Sequence, residues 1–169
     1  MLDQAADTAQ HGAGTRLTAV YLNDHLAGST AVIELVRRAA REHQNSELGV
    51  FLSRLGGEIA EDRMALRRLM AAAGARPQLP KVAAAWLAEK AARLKLNGRL
   101  VRRSPLSPLV ELEAVEIGIY GKLLGWQALR EHRPPGSAAV DFDQLISRAQ
   151  RQLAEVETHR LVAAAALHR

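Results

Sequence analysis

The chain has 169 residues, no cysteine and a formal net charge of +5. That length suits one domain able to bury a core unaided, and the missing thiols exclude disulfides, thiolate metal sites and cysteine nucleophiles. No apolar run approaches the ~18 residues that span a bilayer, and alanine, leucine and arginine abound while aromatic residues make up only 4%. That balance points to an all-α domain.

The first sixteen residues, MLDQAADTAQHGAGTR, are small and polar, with Gly12 and Gly14. They are expected to form a disordered tail before a single bundle domain at 17–169. They lack the basic start and apolar stretch of a signal peptide, so a cytoplasmic location is expected. Helical patterns then run over 17–42, 46–73, 107–131 and 141–167, each with apolar residues at three- and four-residue spacing.

Their punctuation agrees. Gly74 before Arg76-Pro77 stops the second pattern, Ser107-Pro108 and Asp141 start the third and fourth, and Pro134-Pro135-Gly136 separates them. Short links between the first two helices and between the last two predict antiparallel hairpins. The middle link, 74–106, is long and carries its own helical stretch, PKVAAAWLAEKAARLKL. Two hairpins joined by one long crossover is the connectivity of ferritin-like bundles.

With that order, YLNDHLAGSTAVIEL at 21–35, EIAEDR at 58–63 and ELEAVEIGIYGKLLGW at 111–126 make the chain similar to a ferritin-like bundle protein of an uncharacterised bacterial group, over about 17–167. The resemblance implies a ferritin-like four-helix bundle. It implies no particular activity.

Placing residues at 100° intervals assigns the inward stripes. The first helix buries Thr18, Leu22, Leu26, Ser29, Ile33, Val36 and Ala40, with His25 on the margin. The second buries Phe51, Leu52, Leu55, Ile59, Leu66, Leu69 and Ala73, with Asp62 central, Glu58 on the shoulder and Glu61 toward solvent. In the third, Leu112, Val115, Ile119, Leu123 and Trp126 form the stripe; Glu116 sits inside it beside Tyr120, Glu113 borders it and Glu111 lies on the opposite margin. The fourth uses Phe142, Leu145, Ala149, Val156, Ala163 and Leu167, with Gln152 and His159 at the edge, Glu155 further out and Arg160 within.

A buried acid loses several kcal/mol of hydration unless a cation, metal or donor compensates it. His25, Asp62, Glu116 and His159 or Arg160 are therefore expected to meet. As a metal site, His25, Glu58, Asp62, Glu113, Glu116 and His159 could hold iron, manganese or zinc through carboxylate and imidazole. The Glu-x-x-His pairs of ferritin-like di-iron proteins are absent from this sequence, and His25 stands where a carboxylate would be wanted. The competing reading is a buried hydrogen-bond and ion-pair network without a cofactor, and the pattern favours it.

His11, His43, His132 and His168 lie in the tail or near helix ends. Ser29 near His25 lacks the third member and oxyanion loop of a nucleophilic centre. The crossover gathers Arg76, Lys81, Lys90, Arg93, Lys95, Arg99, Arg102 and Arg103 against Glu89 alone. It reads first as a solvated surface, with nucleic acid or an anionic membrane surface as the other partner class.

The sequence thus favours a non-enzymatic or degenerate ferritin-like bundle acting by structure or association. A metal-binding oxidoreductase or storage protein is the alternative, and anion or nucleic-acid binding through the crossover comes next. Leu35, Met64, Val110, Ile117, Leu124 and Leu161 fall off the stripes and offer apolar surface for a homodimer or for packing the crossover helix.

Overall fold

The computed structural model of the chain describes residues 2–78 and 105–168, with side chains from Gly14 onward. Among the described residues the elements are α1 (Leu2–Glu42), α2 (Glu47–Ala72), α3 (Ser107–His132) and α4 (Phe142–Ala164). Short 3-10 turns lie at Ser137–Ala139 and Ala165–His168. These elements form an all-α four-helix bundle. The expected crossover helix, Trp86 and the basic residues from Lys81 to Arg103 lie outside the described residues.

Helix ends follow local chemistry. The Ser46 side chain accepts a hydrogen bond from the Gly49 N–H at the start of α2, and Asp141 accepts from the Gln144 N–H before α4. Each satisfies a donor that the first helical turn leaves open. Pro108 occupies the first turn of α3, where its missing N–H costs nothing. Left-handed residues close two helices, Gly74 at φ 66° after α2 and Arg133 at φ 40° after α3, and Gly136 at φ 86° opens the 3-10 turn that follows.

One boundary differs from the sequence reading. Residues 2–16 continue α1 as helix instead of forming a separate tail. Ala5, Ala6, Ala9 and Gln10 are strong helix formers, and an interior glycine costs only about 1 kcal/mol relative to alanine, so Gly12 and Gly14 do not end the helix.

Leu22, Ile33 and Val36 of α1, Leu52, Leu55 and Leu69 of α2, Leu112 and Ile119 of α3 and Ala149 and Val156 of α4 belong to one buried core. Burying each large apolar side chain is worth roughly 1.5–3 kcal/mol before entropy is counted. α1 packs against α2, α3 against α4, and α1 also against α3, whereas the backbones of α2 and α4 approach only sparsely. α1 and α3 close up where α3 has glycines. A Cβ on Gly118 would run into Val32, and one on Gly125 would come within 2.6 Å of the His25 ring.

Candidate functional site: a polar layer beside an apolar cleft

The stripes of three helices share a heptad phase that admits one polar residue each. Leu55-Ile59-Asp62-Leu66 on α2, Val115-Ile119-Lys122-Trp126 on α3 and Leu145-Ala149-Gln152-Val156 on α4 have the same three- and four-residue spacing. On α1, Leu22-Leu26-Ser29-Ile33 repeats it. Asp62 is 1% exposed and Gln152 0%.

The layer is connected. Lys122 Nζ donates to Asp62 Oδ2 at 2.5 Å and to Gln152 Oε1 at 2.5 Å. Gln152 Nε2 donates to Glu58 Oε2 at 2.9 Å. Arg54 then bridges Glu58 Oε1 at 2.8 Å and Glu155 Oε2 at 2.7 Å. Arg148 NH1 donates to Glu61 Oε2 at 2.7 Å and lies 3.3 Å from Asp62 Oδ1. That second approach is an ion pair without hydrogen-bond alignment, because Asp62 Oδ1 has no hydrogen-bond partner. Ser29 Oγ donates to the Leu26 carbonyl in its own helix at 2.7 Å.

Burial pushes the Asp62 carboxyl above its ordinary value, against the pull of Lys122 and Arg148. It pushes the Lys122 ammonium below its own, against the pull of Asp62. Burial would also raise Glu58, yet hydrogen bonds from Gln152 and Arg54 and the charge of Arg151 outweigh it and hold Glu58 low. Desolvation and charge compensation thus oppose each other across the layer, and compensation wins only at its half-buried outer end.

The six sequence-derived metal candidates fall in separate places. Glu58 and Asp62 belong to the layer. Glu116, which the stripe placed inward beside Asp62, is half-buried and faces Arg160, whose Nε lies 3.5 Å from Glu116 Oε2. Arg160 NH1 also lies 4.0 Å from Glu113, and its firmer pairing is with Glu157 at 2.6 Å. His159 stacks on Phe51 with centroids 4.1 Å apart, and His25 meets the edge of Tyr21 with centroids 4.5 Å apart. Among the described residues, no group of three or more His, Asp or Glu side chains is close enough to hold a metal ion.

Other placements moved too. Tyr120, expected beside an inward Glu116, is 54% exposed. Glu111, expected on the far margin, is buried and lies 3.9 Å from His43. Sequence reasoning missed Lys122 as a partner of Asp62, although its position between Ile119 and Trp126 was a usable signal.

Beside the layer, α1, α2 and α3 enclose a cleft of about 900 Å³. Val32, Leu35, Leu66 and Ala114 contribute apolar wall, and Asp62, Lys122, Arg63 and His25 also reach it. Burial lowers the His25 imidazole, partly opposed by Asp24, so the ring favours its neutral form. Compared with models of protein families, with curated proteins and with solved structures, the chain matches none.

Proposed function

We propose that the chain is a ferritin-like bundle of two antiparallel helix hairpins that works non-enzymatically, through structure and association, with an internal ammonium where relatives of that architecture would carry metal. The observation that carries the reading is the place of Lys122, which sits between Asp62 and Gln152 in the polar layer. An ammonium offers three donors and no lone pair, so it neutralises the inward acid as a metal would while repelling any cation brought near. Its other contact is an amide oxygen, which completes the ammonium's hydrogen bonding. Association is supported by an outward row on α3, where Ile117 is 65% exposed, Tyr120 54% and Leu124 48%.

Elemental analysis tests the reading on protein purified without chelator and then offered iron, manganese and zinc. Substoichiometric metal after desalting is expected, both in the native chain and in an Asp62→Ala, Glu116→Ala double variant. Stoichiometric metal in the native chain that the double variant loses would overturn it. Sedimentation of the same preparation should show a dimer that Ile117→Glu with Leu124→Glu converts to monomer. Monomers at all concentrations would remove the association through this row.

A further inference from the structure

The cleft between α1, α2 and α3 touches that reading only at Ile117, which lines it and also belongs to the outward row, and its chemistry selects a ligand. Its volume, about 900 Å³, falls in the range of roughly 300–1,000 Å³ typical of small-molecule sites. Gly28 of α1 and Gly121 of α3 both line it, and a Cβ at either would meet nothing within 4 Å. The neighbouring Gly118 and Gly125 are instead pressed against Val32 and His25. The open glycines therefore widen the cleft, while the crowded ones bring its walls together.

Two buried hydrogen-bond donors beside it have no partner among the described residues. Trp126 is 3% exposed and lines the cleft, and its indole Nε1 has no partner. The Arg63 Nε is also buried and unpartnered, and Arg63 makes no ion pair among the described residues. A tryptophan can only donate, and an arginine can donate but not accept. Asp62 and Lys122 neutralise each other, and Glu34 at the rim is held by Arg37 at 3.3 Å. Asp24, Arg38 and Arg41 also line the cleft but are exposed, which leaves the half-buried Arg63 as the unpaired charge beside the apolar trough. A cation would meet Arg63, and a plain hydrocarbon would leave its guanidinium without a counter-charge.

We infer that the cleft binds a fatty acid, with its carboxylate received by the guanidinium of Arg63 and its chain laid along Val32, Leu35 and Ala114. The proposal is independent of whether the polar layer excludes metal.

Calorimetric titration of the full chain with dodecanoic acid below its micellar concentration tests this, with dodecanol run in parallel. One acid per chain is expected, with the alcohol weaker by about tenfold, the value of one charge-assisted contact. Arg63→Met should bring the acid down to the alcohol's level while leaving the alcohol unchanged. Gly121→Leu should abolish binding of both by filling the trough, and because leucine is a better helix former than glycine the variant should unfold no sooner than the native chain. No heat up to the solubility limit, undiminished binding in Gly121→Leu, an unchanged affinity in Arg63→Met, or many acids per chain would each overturn the proposal. So would a dimer that covers the cleft and takes up no acid.

Discussion

Lys122 reaches its partners from a helix position that leaves its side chain only 15% exposed, so its removal strands Asp62 more than it opens a hole. With Arg148 3.3 Å away and misaligned, Lys122→Met is expected to cost about 3–5 kcal/mol, the usual range for breaking a buried pair from one side. Adding Asp62→Leu should recover most of that loss in urea unfolding, because a well-packed apolar pair is about as stable as a buried ionic one. Glu58 behaves in the opposite way. Its carboxyl is held below the ordinary value of 4.5, so its contribution is fully present above that pH and is lost as the pH falls through the lower folded-state value. Glu58→Gln should therefore be less stable than the native chain by about 1 kcal/mol at neutral pH, with the gap closing in acid below pH 4.5. The buried place of Asp62 was legible in the sequence from its stripe. Its partner was not, because a lysine's long stem lets it satisfy either core or solvent from the same helix position.

At the scale of elements, α3 is shaped by its glycines. Gly118→Ala would drive a methyl group into Val32, whose branched side chain has one strongly preferred rotamer in a helix and cannot swing away cheaply. A loss of about 1–3 kcal/mol in thermal or urea unfolding is expected, and Val32→Ala in the same chain should return part of it. Sequence periodicity supplied the helices and most of their faces: Phe51, Leu52, Leu55, Ile59, Leu66 and Leu69 were all read as buried and are. It erred at Glu116, where the end of a long flexible side chain leaves the apolar stripe to meet Arg160. It also did not find the cleft, since a glycine reads the same whether its missing side chain admits a neighbouring helix, as at Gly118, or leaves a space, as at Gly121.

At the scale of the whole molecule, α1 and α2 share apolar core side chains along their length, while the line between α2 and α4 is crossed by charged and polar contacts. There Arg54 meets Glu155, Arg148 meets Glu61, Gln152 meets Glu58, and Arg151 stands 3.4 Å from Glu58. Such contacts between partly wet groups weaken as ions screen them, whereas apolar packing does not. Hydrogen exchange followed from low to high sodium chloride should therefore quicken along facing turns of α2 and α4 while the α1 amides opposite α2 keep their rates. A uniform response across all four helices would show that this line has no weakness of its own. With the selective response expected, the bundle breathes along one edge, like a book whose spine is oiled wood and whose clasp is a row of small magnets, loosening in brine and holding firm in fresh water.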